Sequence, residues 1–149
     1  MSATTKTAAE SADEIGLSRF FASPPPSAVL LGWRGLAFSR EEKRLKVAFT
    51  AREEFYNPFG LVQGGIVSAM LDDTMGPLVG MLTEGKFAIT TTDLHVTFLK
   101  GATAGELTCE ARVVKLGRNV AFTEAELFDA QGALLARGLS TIFLKPRAP

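Results

Sequence analysis

At 149 residues, with 46% apolar side chains, the chain has the size of one domain and ample material for a core. Its 16 basic residues balance 16 acidic ones, which argues against a nucleic-acid or membrane-surface partner. A lone cysteine, Cys109, excludes an internal disulfide, and with one histidine it leaves too few ligands for a zinc site. The first residues lack a basic segment followed by an apolar run, and no apolar stretch approaches the ~20 residues of a membrane helix. A reduced, cytoplasmic setting is therefore expected.

Residues 1–13 are small and polar without apolar period, which predicts a disordered tail ahead of a single domain over residues 14–149. Ile15 to Phe21 can form a short helical turn. Ser23-Pro24-Pro25-Pro26 then forbids helix and predicts an extended spacer before the apolar run Ala28–Leu31. Trp33–Ser39 and Arg44–Ala51 flank the charged turn Arg40-Glu41-Glu42-Lys43 and read as a hairpin, with Leu45, Val47 and Phe49 on the buried face of its second strand. Arg52 to Val62 is the loop that delivers the chain into the one long helical pattern. After it, Phe87–Leu99 alternates across Thr92, Leu94, Val96 and Phe98, and three further strands follow at Glu106–Leu116, Val120–Asp129 and Ala133–Lys145. Turns at Gly101–Gly105, Gly117-Arg118-Asn119 and Gln131-Gly132 separate them. Cys109 falls in an alternating strand pattern and reads as a buried apolar filler. One long helix with about six strands predicts an α+β domain, an antiparallel sheet wrapped round that helix.

The helical stretch carries the chemistry. From the turn at Asn57, Pro58 and Gly60 the chain passes through Gln63-Gly64-Gly65, and apolar residues then recur at Val67, Met70, Leu71, Thr74, Leu78 and Met81. A second stripe, Gly65, Ser68, Asp72 and Gly76, shares another face, and Asp72 is its only charge. Small residues there admit a ligand or another backbone. Asp73 points about 100° away, on the side of Ile66, Ala69 and Gly80. Pro77 lacks a donor and crowds the carbonyl of Asp73, which predicts a kink, or a break at Gly76. A helix opening on Gly-Gly presents unpaired N–H groups and a positive dipole end. With a carboxylate two turns on, these are the parts that stabilise an oxyanion and deliver a nucleophile or base.

The string N-x-x-G-x-x-Q-G-G-x6-D, from Asn57 to Asp72, resembles the N-x-x-G-x-x-H-G-G-x6-D signature of hot-dog-fold acyl-CoA thioesterases of the phenylacetate-pathway (PaaI-like) type. The segments TTDLHVTFLK and VVKLGRNVAFTEAELFDAQG resemble that family's later strands, so the likeness covers most of residues 33–145. It implies a hot-dog fold and hydrolysis of an acyl-CoA or aryl-CoA thioester. Asp72 is then the catalytic carboxylate, the Gly64 amide the principal oxyanion donor with Gly65 beside it, and Asn57 and Thr91 the groups that orient the attacking water. Lys115 and Arg118, with Arg137 or Lys145 as further candidates, would grip the phosphates and pantetheine of coenzyme A. The resemblance also implies a homodimer or homotetramer with active sites shared between subunits. No metal and no separate cofactor is expected, coenzyme A arriving as part of the substrate.

One position departs from the family: Gln63 stands where it has histidine. An amide can donate to a thioester carbonyl or place a water, but it is no general acid or base near neutral pH. A thiolate leaving group makes that tolerable. The rival reading is a hot-dog protein that binds an acyl-CoA or another apolar ligand without hydrolysing it, which Gln63 supports and Asp72 opposes. His95, inside a strand, reads as a structural or interface residue.

Overall fold

The computed structural model describes the backbone of residues 3–148 and the side chains of 12–148. In chain order the elements are α1 (Ala3–Phe20), α2 (Pro26–Leu31), β1 (Arg34–Ser39), β2 (Arg44–Ala51), a 3-10 turn (Glu53–Phe55), α3 (Gly64–Leu82), β3 (Phe87–Phe98), β4 (Gly105–Leu116), β5 (Val120–Phe128) and β6 (Leu134–Pro146). The six strands form one antiparallel sheet in the order β1-β2-β4-β5-β6-β3. The strand that directly follows α3 therefore crosses to the far edge, where it pairs only with β6.

The sheet curls round α3. Met70, Leu71, Met75 and Leu78 are fully buried against inward residues of the strands, among them Val47, Cys109, Leu127 and Ile142. The sheet is floored with small residues beneath the helix: Ala111, Ala121, Ala125 and Gly138 are all buried. A Cβ on Gly138 would meet Leu71 and Met75 at 3.4 Å, so these helix side chains rest directly on the sheet. Cys109 lies in this core as expected, its thiol pushed up to about 12 by burial.

Three local expectations need correction. Residues 3–13 are helical, not disordered, while residues 1 and 2 lie outside the described residues. An Ala-rich segment has high helix propensity without any apolar period, and among the described side chains α1 is held through its second half, where Asp13 accepts from the Arg40 N–H, Leu17 sits on Gly35 and Phe20 on Gly80. The proline run breaks helix only as far as Pro25, since Pro26 opens α2, where a missing N–H costs nothing. Finally, α3 runs without a break through Pro77 to Leu82. Pro77 leaves the carbonyl of Asp73 without its helical donor, and the indole Nε1–H of Trp33 supplies one instead, at 2.8 Å. At the end of the helix the guanidinium of Arg40, in the β1–β2 turn, donates to the carbonyls of Leu82 (3.1 Å) and Met81 (3.3 Å).

Candidate active site

Gly64 is the first residue of α3 and Gln63 its N-cap. The backbone N–H of Gln63 donates to Phe55 O at 2.8 Å, and its own carbonyl accepts from Ile66 (2.9 Å) and Val67 (3.1 Å). Its side chain is exposed and caps nothing. The N–H groups of Gly64 and Gly65 have no carbonyl one turn back and find no acceptor among the described residues. A Cβ on Gly65 would meet nothing within 4 Å, and one on Gly64 would meet only the Phe98 ring, at 3.2 Å. The helix thus begins with two free donors at its positive end, Gly64 beside the Phe98 ring and Gly65 in the open.

Asn57 shapes the loop that leads there. Its Oδ1 accepts from the N–H groups of Phe59 (2.9 Å) and Leu61 (3.2 Å), its own N–H donates to Leu61 O (2.7 Å), and Gly60 closes the turn at φ 72°. The carbonyl of Asn57 is therefore taken up by the turn, and what it can still offer a substrate is its amide N–H.

Asp72 and Thr91 are brought together. The Thr91 hydroxyl donates to Asp72 Oδ1 at 2.8 Å, both residues being half-buried between α3 and the edge strand β3. Strict alternation back from Leu94 would have placed Thr92 inward and Thr91 outward. A bulge between Thr91 and Asp93 shifts the phase, so Ile89 and Thr91 face inward together with Leu94, Val96 and Phe98. Thr92 faces out and donates to Thr141 O at 3.0 Å.

Gly64 and Asp72 do not meet within one chain. Eight residues of helix separate them by about 12 Å along the axis, too far to act on one carbonyl. Each chain thus presents two separate candidate half-sites, free backbone donors at Gly64 and a carboxylate bonded to Thr91 at Asp72.

Sequence reasoning placed Asp73 on an apolar side and gave it no further account. The structure half-buries it, leaves its Oδ2 buried without a partner, and pushes its carboxyl up to about 6, through burial first and the Asp72 charge second. The available signal was its company of Ile66, Ala69 and Gly80. Lys115 and Arg118 are exposed at the β4–β5 turn and form no ion pair among the described residues, whereas Arg137 is held by Glu126 at 3.1 Å. The β4–β5 turn lies at the Asp72 end of the sheet, since Val120 pairs with Phe143 and Phe143 with Thr90. His95 is exposed on the outer sheet face, opposite Leu139 and away from both half-sites.

A sheet curled round one long helix, with a free helix start and a carboxylate at its edge strand, defines a hot-dog-fold domain. The chain belongs to the thioesterase superfamily, whose sequence pattern matches residues 59–136. It is a PaaI-like thioester hydrolase. A phenylacetic acid degradation-related protein of Ralstonia eutropha JMP134 superposes with a TM-score of 0.80 at 35% identity, over 86% of this chain and 98% of that one. The proofreading thioesterase EntH of Klebsiella pneumoniae is 30% identical over 66% of this chain and 72% of its own. Mouse acyl-coenzyme A thioesterase 13 is 28% identical over 69% and 74%.

Proposed function

We propose that this hydrolase acts on acyl-CoA or aryl-CoA thioesters, in a site built from two copies of the chain. The Thr91–Asp72 hydrogen bond carries the reading: it holds a carboxylate in a fixed direction beside the edge strand, where a second copy can bring its own Gly64. A homodimer supplies two such sites, and a homotetramer four. The name of mouse acyl-coenzyme A thioesterase 13 supports the substrate class. A cytoplasmic location belongs to the same reading.

In the proposed reaction the thioester carbonyl oxygen accepts from the Gly64 N–H of one subunit, with the Gln63 amide beside it. Asp72 of the other subunit attacks the carbonyl carbon. The carbon–sulfur bond breaks, coenzyme A leaves as a thiolate, and water hydrolyses the mixed anhydride to the free acid and Asp72. Alternatively Asp72 takes a proton from a water that attacks directly, the Thr91 oxygen and the Asn57 amide orienting it. Either route needs an ionised Asp72, and neither needs a strong general acid at position 63. Lys115 and Arg118 hold the phosphates and pantetheine of the leaving coenzyme A.

Thiol release from a panel of acyl-CoA and aryl-CoA thioesters, with calorimetric binding of the same compounds, tests this. Turnover by the wild-type protein that Asp72→Asn abolishes while binding persists is the expected result. Binding without turnover by the wild-type protein would favour the ligand-binding reading. Near-normal turnover by Asp72→Asn would sink the assignment of the carboxylate.

A further inference from the structure

We infer that Asp93 and His95 pair across the axis between two copies of the chain, Asp93 of each with His95 of the partner subunit, and so set the register in which Gly64 of one copy meets Asp72 of the other. The inference deepens the reading of a site shared between two copies and rests on it. The two edges of the sheet differ. The β1 edge is 6 residues long, bulged between Gly35 and Ala37, and covered at Gly35 by Leu17 of α1. The β3 edge is 12 residues long and contains neither proline nor lysine, two of the residues that keep an open edge unpaired. The Leu99 N–H donates to Leu135 O at 2.8 Å and Asp93 O accepts from the Ser140 hydroxyl at 3.0 Å, so the backbone groups of Asp93, His95, Thr97 and Leu99 face β6. Those of Leu94, Val96 and Phe98 therefore stand at the open edge, where a second β3 can pair antiparallel about a two-fold axis.

Two constraints place that axis. Thr91 holds Asp72 and Phe98 covers Gly64, so the axis must pass near the middle of this span for the donor end of one copy to reach the carboxylate end of the other. Directly opposite residues of an antiparallel pair share a face, so the axis passes through a residue; an axis between two would set inward Leu94 against outward His95. An axis at Asp93 opposes two carboxylates. One at His95 opposes two imidazoles and leaves Asp93 against Thr97. An axis at Leu94 sets Asp93 against His95 twice, in the close pairs that exchange no backbone hydrogen bonds, and brings the two half-buried Leu94 side chains together. Charge favours this choice. Among the described residues neither Asp93 nor His95 forms an ion pair, and Asp93 accepts only from the Thr92 hydroxyl, at 3.5 Å. On the same outer face Lys46, Arg112 and Arg137 are paired within the chain, with Glu110, Glu124 and Glu126. An imidazole can donate to a carboxylate whether it is neutral or charged.

The test starts with single cysteines in the full chain, Asp93→Cys, Leu94→Cys and His95→Cys, treated with oxidised glutathione; wild type, whose Cys109 is buried in the core, is the blank. Leu94→Cys should cross-link between subunits at least tenfold faster than the other two, because directly opposite Cα atoms are about 4.5–5.5 Å apart and diagonal ones ~7–8 Å. Faster cross-linking at position 93 or 95, or none at all, overturns the register. In sedimentation, His95→Asp, which sets like charges opposite on both sides of the axis, should raise the dimer dissociation constant at least tenfold. The double variant Asp93→Lys/His95→Asp should return it to within a few-fold of wild type. A His95→Asp dimer as tight as wild type overturns the role of the pair. If mixed Asp72→Asn and Gly64→Pro chains regain activity while Leu94→Cys does not cross-link, the shared site stands and the inference falls. If Leu94→Cys cross-links and the mixture stays inactive, the register stands and the shared site falls.

Discussion

Gly64→Pro deletes one hydrogen from the proposed oxyanion donor and little else. Gly64 is the first residue of α3, the position where proline is best tolerated in a helix, because its N–H has no intrahelical acceptor. Gln63 already has φ −55° and ψ 135°, the extended conformation that a following proline demands. The added Cβ meets the Phe98 ring, which is 55% exposed and free to give way. Gly64→Ala introduces the same Cβ and keeps the N–H, so the difference between the two variants isolates the donor. Losing one preorganised oxyanion donor costs about 3–4 kcal/mol in the transition state, or 10²–10³ in kcat. The assay is steady-state thiol release, with melting curves to confirm that both variants fold. Gly64→Pro should be at least 100-fold slower than Gly64→Ala, with KM changed far less. Equal turnover by the two would refute the role of this amide.

Thr91→Val should lower kcat/KM by about 10–100-fold, since a hydrogen bond to a charged group is worth ~1.5–3 kcal/mol, while Thr92→Val stays within a few-fold of wild type. The opposite order would mean that the bulge is misplaced. Trp33→Phe should cost about 1–3 kcal/mol in denaturant unfolding by orphaning the Asp73 carbonyl, and clearly less in a Pro77→Ala background, where residue 77 donates again; equal costs would remove the link between indole and proline. The raised carboxyl of Asp73 makes the folded state hold its proton more tightly than the unfolded chain does, so stability falls as pH rises from about 4 through about 6. Asp73→Asn should therefore gain little at pH 4 and most above pH 7. A shift of about two pH units corresponds to ~3 kcal/mol, which partial exposure reduces to about 1–2 kcal/mol. A gain independent of pH in melting curves would contradict this.

The parts of the fold with local periodicity were legible. The β1–β2 hairpin, α3 and the last four strands end within about a residue or two of where alternation and turn residues predict. Strand order was not, because pairing β3 with β6 rather than with β4 is a long-range choice that no local pattern encodes. Thr91 was assigned through the family resemblance, while alternation alone selected Thr92; one extra residue in a strand reverses its faces without a compositional trace. The break at Gly76, one of the two outcomes predicted from Pro77, is absent for a related reason. The helix needs a donor for one carbonyl, and Trp33 provides it from 40 residues away. The small-residue stripe did identify the face of α3 that meets the edge strand. It could not show that Phe20, from a segment with no apolar period of its own, packs over Gly80 on the neighbouring face.

The most direct test of a shared site is the activity of mixed oligomers. Asp72→Asn and Gly64→Pro chains are each prepared as homo-oligomers, then unfolded together in equal amounts and refolded. A mixed pair then contains one intact site, with Gly64 from the Asp72→Asn chain and Asp72 from the Gly64→Pro chain. With half of the pairs mixed, and one site of two intact in each, activity should return to about a quarter of that of wild-type protein refolded in the same way. A mixture no more active than its two components would place both residues in one chain's site and contradict the account.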